Sequence, residues 1–180
     1  MKPLKKNDVI VFAIFDFIYL MTACLLAKLL GDLVLKAADL FVPVSYHHGA
    51  VISVVSVAVI SLALVGLLTF RDGHHYASFH FASSLLSAGS AAILHFAIGL
   101  LTRFVPILFG PTRHLAGLIS FGGFYNSVER TKQIPFGTLA VVGLLMMLVY
   151  AAVMILMGYI GCRKRLRDRA ETTGSDEASI

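Results

Sequence analysis

The sequence contains few charged residues and few cysteines. Only 14% of its 180 residues are Asp, Glu, Lys or Arg, against roughly a quarter in a soluble domain. Together with the long apolar runs described below, this shortage excludes a soluble enzyme, a disordered chain and a nucleic-acid-binding module. The two cysteines, Cys24 and Cys162, lie near opposite ends of the chain and form no CxxC or metal-ligand spacing. They exclude a disulfide scaffold, and we expect both to be buried as small apolar side chains.

Catalytic motifs are absent as well. The chain has no GxSxG, no HExxH and no glycine-rich phosphate loop. The histidine pairs His47-His48 and His74-His75 are separated by an apolar run that measures about 33 Å as a helix, so they cannot share a metal ion. The sequence therefore predicts no catalytic residues, no metal site and no cofactor, and an enzyme is the less favoured class.

The sequence is rich in apolar residues, which make up 58% of the chain and give a mean hydropathy of +0.85. They are concentrated in four runs that can cross a hydrocarbon core of about 30 Å as helices: residues 9–30, 49–70, 77–101 and 136–160. Backbone groups in lipid must be satisfied within the segment, so each run is predicted to be a helix. The predicted fold is an all-α, four-helix transmembrane bundle in a single domain over residues 1–170. The polar tail 171–180 is predicted to be disordered.

The basic residues predict the orientation of the chain in the membrane. Lys and Arg are more numerous on the side that carries both termini, and the positive-inside rule places that side in the cytoplasm of a plasma or inner membrane. Five basic residues after the last run are expected to anchor it to anionic headgroups: Arg163, Lys164, Arg165, Arg167 and Arg169. The predicted partners are the lipid bilayer and another membrane protein or a second copy of the chain, with no nucleic acid.

Two connections on the predicted outer side look structured. After Gly31, residues 32–41 form either a short amphipathic helix on the membrane surface or an extension of the first span. The connection 102–134 has two apolar arms around a polar tip at residues 110–114, and neither arm is long enough to span. It is predicted either to cap the helix ends or to re-enter the bilayer as a hairpin.

One carboxylate, that of Asp16, interrupts the first apolar run. Such a residue should face protein or water, because a carboxylate in lipid is costly. The third run carries polar residues on one helical face, and its first part lies at about the depth of Asp16. The predicted intramembrane network comprises Asp16, His80, Ser83, Ser84, Ser87 and His95. Its role is either to hold the helices together or to form a polar path.

Two classes of function follow. The favoured one is a non-catalytic accessory, scaffold or assembly subunit that acts through helix–helix association. The alternative is a small oligomeric transporter or channel that uses Asp16 and the polar face of the third run.

Overall fold

A computed structural model describes residues 6–41, 46–76, 81–101, 110–121 and 133–177 of the chain. Apart from a short turn at residues 133–135, these residues are helical. The helices are α1 (Lys6–Phe41), α2 (Tyr46–Tyr76), α3 (Phe81–Leu101), α4 (Gly110–Phe121) and α5 (Phe136–Glu177). The prediction of an all-helical chain is therefore confirmed for the described residues.

Four of the helices are long and apolar enough to cross a membrane. The candidate spans are Asp8–Phe41, Val51–His75, Ala82–Leu100 and Phe136–Glu171. Each contains or overlaps one of the four predicted runs, so a multi-pass membrane protein is supported. Helices α1, α2 and α5 have 36, 31 and 42 residues, whereas about 20 are enough to cross the hydrocarbon core. These three helices are therefore longer than the core is thick.

Each long helix packs against two others. Helix α1 contacts α2 and α3, and α5 contacts the same two helices, with the most extensive contact between α2 and α5. Ser61 of α2 contacts Tyr150 of α5, and Phe70 contacts Gly161 closer to the C-terminal end of both helices. Helices α2 and α5 are therefore parallel neighbours, although α3 and α4 separate them in sequence.

The helices meet around a core that mixes small and large side chains. Small residues on α1 and α3 allow these two helices to approach closely, and larger ones come mainly from α5. The buried cluster contains Leu20, Ala23, Cys24, Val65, Ala88, Ala92, Ala116, Ile134, Leu139, Val142, Met146, Tyr150 and Met154. Many large apolar side chains point outward instead, which suits a surface covered by lipid.

The segment after Gly31 is part of α1. The prediction of a separate amphipathic surface helix is wrong, and the alternative, an extension of the first span, is what the structure shows. Gly31 lies inside the helix and is buried against α2, where an added Cβ would overlap the Val57 side chain. An ion pair of 2.9 Å between Lys28 Nζ and Asp32 Oδ2 also joins the turns on either side of Gly31.

The predicted polar tip of the 102–134 connection begins helix α4. This helix packs against α1, α2 and α5, and Pro111, Thr112, Arg113 and His114 are buried. The tip is therefore enclosed by other helices instead of facing solvent. Most of the rest of this connection lies outside the described residues.

The C-terminal part of α5 also differs from the prediction. The helix continues to Glu177, so residues 171–177 are helical where a disordered tail is predicted. Arg167 Nε donates a hydrogen bond to Glu171 Oε1 at 2.8 Å. A pair of opposite charges four residues apart stabilises a helix by a few tenths of a kcal/mol, which favours helix beyond the last apolar turn.

Candidate functional site

The structure brings Asp16 and Ser87 together between α1 and α3. Ser87 Oγ donates a hydrogen bond to Asp16 Oδ2 at 2.5 Å. Ser87 is buried, whereas Asp16 is only partly buried. Ser83 is buried one turn before Ser87, and Ser84 beside it is partly exposed. The remaining member of the predicted network at this depth, His80, lies outside the described residues.

A second group of polar side chains occupies the centre of the molecule. We name it the Tyr150 cluster, and it consists of Cys24 from α1, Ser61 from α2, His95 from α3 and Tyr150 from α5. All four are buried, and Tyr150 is only 1% exposed. The His95 ring meets the Tyr150 ring edge-on, with ring centroids 6.2 Å apart and planes at 79°. Each of the four long helices therefore contributes one side chain to the Tyr150 cluster.

The hydrogen bonds of the Tyr150 cluster run in one direction. Ser61 Oγ donates to the Ala58 carbonyl oxygen at 2.8 Å, and a hydroxyl has only one proton to donate. Ser61 Oγ therefore accepts from Tyr150 Oη, which lies 2.8 Å away. Tyr150 Oη in turn accepts from Cys24 Sγ at 3.7 Å. The buried hydroxyl of Tyr150 is thus satisfied both as a donor and as an acceptor.

Sequence reasoning missed most of the Tyr150 cluster. His95 is predicted as part of the polar face of the third run, and the structure places its ring against Tyr150. Cys24 is buried as predicted, and it also donates to Tyr150. The available signal was the position of Ser61 and Tyr150 in the middle of apolar runs, where a polar group needs a partner.

An apolar layer separates the Asp16–Ser87 contact from the Tyr150 cluster. Cys24 follows Asp16 by eight residues, and His95 follows Ser87 by eight, which is about 12 Å of helix rise. Buried apolar side chains fill this interval: Leu20, Ala88, Ala91 and Ala92. A hydrogen bond joins atoms about 3 Å apart, and a water molecule among apolar side chains would lack polar partners. The Asp16–Ser87 contact and the Tyr150 cluster are therefore two separate polar contacts with a mainly apolar layer between them.

Helix α4 carries two buried ionisable side chains, near Lys28 and Asp32 of α1. Arg113 and His114 are both 3% exposed. Burial, and then the positive charges of Arg113 and Lys28, lower the pKa of His114 to about 4, while Asp32 acts in the opposite direction. Burial also lowers the pKa of Arg113. His114 is therefore neutral near pH 7, well away from its titration range.

Helices α2 and α5 touch backbone to backbone at a place that we name the α2–α5 crossing, formed by Phe70, Gly73, Gly158 and Gly161. A Cβ added to Gly73 would overlap the Gly158 carbonyl oxygen, and one added to Gly161 would overlap the Phe70 carbonyl oxygen. Glycine is required at both positions because the overlapping atoms belong to the backbone and cannot move aside.

The predicted anchoring residues follow the crossing on α5. Arg163, Lys164, Arg167 and Arg169 are exposed, whereas Arg165 is partly buried. Lys164 Nζ lies 5.9 Å from the centroid of the Phe70 ring. His74 Nε2 lies 3.3 Å from Asp168 Oδ2. The basic end of α5 therefore contacts the end of α2.

The described part of the chain contains no group of three or more His, Cys, Asp or Glu side chains placed to hold a metal ion. Comparison with known proteins gives no match, whether to a protein-family model, a curated protein or a solved structure.

Proposed function

We propose that the four long helices form a transmembrane bundle with both termini in the cytoplasm, in a plasma or inner membrane. Their length and apolar character support the crossings, and the outward-facing apolar side chains suit a lipid environment. The excess of Lys and Arg beside the termini supports the orientation through the positive-inside rule.

We further propose that the protein acts as a non-catalytic accessory, scaffold or assembly subunit through helix–helix association. The main support is that the interior polar side chains bind one another across helices. Asp16 is engaged by Ser87, and Tyr150 by Ser61 and Cys24. Such bonds between membrane helices contribute about 0.6 to 2 kcal/mol each. They hold the helices in one arrangement, whose outer faces are then available to another membrane protein.

Helix α1 is the span least covered by its own chain. In its most apolar stretch 17% of the residues are buried, against 33% in each of the other three spans. One uncovered stripe of α1 carries large apolar side chains at helical spacing: Ile14, Ile18, Leu25 and Leu29. This stripe is the surface on which we place the association with a partner or with a second copy.

The alternative function is a small oligomeric transporter or channel that uses Asp16 and the polar face of α3. One observation favours it: Asp16 is only partly buried, and an intramembrane carboxylate commonly serves an ion or proton pathway. This function requires water to enter the apolar layer between Asp16 and Tyr150.

The substitution Asp16→Asn distinguishes the two functions. Asparagine keeps an oxygen that accepts from Ser87 but cannot carry a charge. For an association subunit, wild type and variant purify in mild detergent with the same identified partner or the same oligomeric state. Neither carries proton or ion flux in proteoliposomes. Flux through the wild type that disappears in the variant would contradict association and support transport.

A second pair of variants tests the surface of α1. Replacing Ile18 and Leu25 with alanine shortens two exposed side chains on α1 and is expected to weaken partner capture or self-association. The matched control replaces Leu145 and Leu148, which are exposed on α5, and is expected to leave capture unchanged. Equal capture by both double variants would exclude α1 as the association surface.

A further inference from the structure

Helices α2 and α5 leave their apolar stretches side by side. Helix α5 contains no Asp, Glu, Lys or Arg from residue 136 to residue 162, about 40 Å of helix. This matches a bilayer including its headgroup regions. Helix α2 contains none from residue 46 to residue 70, and Arg71 follows. Because Gly161 lies against Phe70, the charged residues after both stretches lie at the level of the lipid headgroups.

Two cations of α5 lie beside the α2–α5 crossing. Lys164 Nζ is placed over the ring of Phe70, the last residue of the uncharged stretch of α2. Arg165 lies between two residues of α5 that contact α2, because Gly161 is one turn before it and Asp168 is three residues after it. Residues at these spacings share one face of a helix, so Arg165 is on the side of α5 that faces α2.

Arg165 has a donor that the described residues do not satisfy. Its Nε is buried and has no hydrogen-bond partner among them. A buried donor without an acceptor is costly. The two carboxylates that follow Arg165 on α5 are already engaged, since Asp168 contacts His74 and Glu171 accepts from Arg167. A phosphate group supplies the missing acceptor, because its oxygens match the fork of donors on a guanidinium.

We propose that Lys164 and Arg165, at the α2–α5 crossing, bind the phosphate of an anionic phospholipid. A lipid fits better than a free anion because both helices carry exposed apolar side chains, which can contact acyl chains, just before the level of these cations. Leu67 of α2 is 63% exposed and Ile160 of α5 is 42% exposed. The proposal needs α2 and α5 to span a membrane, but it does not depend on an association function.

The test measures lipid binding to the purified full-length chain in mild detergent by native mass spectrometry. We expect phosphatidylglycerol to be retained in preference to phosphatidylcholine. Arg165→Gln is expected to lower the affinity for phosphatidylglycerol about fivefold, and Lys164→Gln by a similar factor. Arg165→Lys is expected to restore part of the affinity, because it keeps the charge but loses the fork of donors.

The matched control is Arg163→Gln, which removes the same charge from an exposed position on the opposite side of α5. Its affinity for phosphatidylglycerol is expected to fall by less than that of Arg165→Gln or Lys164→Gln, because Arg163 contributes only the general attraction of a basic residue to anionic headgroups. An equal loss in Arg163→Gln and Arg165→Gln would overturn the proposal, because it would show general charge attraction. Retention of phosphatidylcholine as strongly as phosphatidylglycerol would also overturn it. Displacement of phosphatidylglycerol by millimolar inorganic phosphate would indicate a site for a free anion and would equally reject a lipid site.

Folding is checked separately from lipid binding. The melting temperature of each variant is measured in phosphatidylcholine, where the proposed ligand is absent. A variant that melts with the wild type but loses phosphatidylglycerol supports the proposal. If Arg165→Gln does not fold, the comparison of Lys164→Gln with Arg163→Gln decides the result.

Discussion

The α2–α5 crossing and the Tyr150 cluster join helices in opposite ways. At the crossing, Gly158 and Gly161 bring two backbones together because no side chain stands between them. In the Tyr150 cluster, four side chains from four helices meet through hydrogen bonds and a ring contact. The first contact depends on shape, and the second depends on polar chemistry.

The difference matters because lipid tails are as apolar as the side chains of the helices. Helix association in a membrane therefore depends on close packing and on hydrogen bonds. A close backbone contact leaves no room for an added atom, whereas loss of a hydrogen bond between membrane helices lowers the stability by only about 0.6 to 2 kcal/mol. We expect substitutions at the crossing to destabilise the protein most. Substitutions at the polar contacts should have smaller effects. The buried side chain of His114 should make the stability of the protein depend on pH.

Gly161→Ala is expected to have the largest effect. The added Cβ would overlap the Phe70 carbonyl oxygen and lie 2.9 Å from the His74 backbone nitrogen, so α2 and α5 must separate. Overpacking of this kind costs about 3 kcal/mol, which reversible unfolding in mild detergent measures. The control is Gly89→Ala on α3, where an added Cβ has no atom within 4 Å. Equal stabilities of the two variants would show that the crossing does not depend on shape.

His114 provides the next largest effect, because its burial makes stability depend on pH. Its pKa is lowered from 6.5 to about 4 in the folded protein. As the pH falls below 6.5 the unfolded chain takes up a proton that the folded chain does not, so stability decreases. The loss from this group is about 2 kcal/mol at pH 5.

The pH effect is tested by measuring the free energy of unfolding in mild detergent at several pH values between 7 and 5 and comparing its slope against pH. The slope is expected to be steeper in the wild type than in His114→Gln. Gly89→Ala, which changes no titratable group, is expected to keep the wild-type slope. Parallel curves for wild type and His114→Gln would mean that His114 is not buried in a neutral form.

The four long helices could be predicted from composition, since only a helix satisfies its own backbone in lipid. That serines of α3 lie near the depth of Asp16 could be anticipated by counting residues from the ends of the runs, because depth follows from the helix rise. The count points to Ser83 and Ser84, whereas the observed partner, Ser87, lies one turn further along α3. For residues 32–41 the sequence leaves two alternatives open, and composition does not decide between a separate surface helix and the extension of α1 that the structure shows.

The Tyr150 cluster and the burial of α4 depend on tertiary packing. Ser61 and Tyr150 are 89 residues apart, and hydropathy does not indicate that α2 and α5 are neighbours. Arg113 and His114 belong to a polar tip between two apolar arms in the sequence, and α1, α2 and α5 enclose the helix that carries them. Polar residues thus mark places of interest, and the arrangement of helices determines which of them meet.

Tyr150→Phe is expected to cost about 1 kcal/mol, because it removes one buried hydroxyl and keeps the ring. Ser61 then loses its donor and Cys24 its acceptor. A double-mutant cycle with Ser61→Ala isolates the hydrogen bond between the two hydroxyls. Tyr159→Phe, at a position 43% exposed on the same helix, is the control and is expected to cost less. A cost as large as that of Gly161→Ala would reverse the ranking of the two regions.

Ser87→Ala is expected to have the smallest effect, about 0.6 kcal/mol. The Ser87–Asp16 bond joins only α1 and α3, and Asp16 is partly exposed, so its carboxylate keeps access to other partners when the serine hydroxyl is removed. Ser90→Ala at an exposed position of α3 is the control. If Ser87→Ala proved more destabilising than Tyr150→Phe, the Ser87–Asp16 bond, which joins two helices, would contribute more stability than the Tyr150 cluster, which joins four. The strength of a polar contact in this protein would then follow the charge of the acceptor and not the number of helices joined.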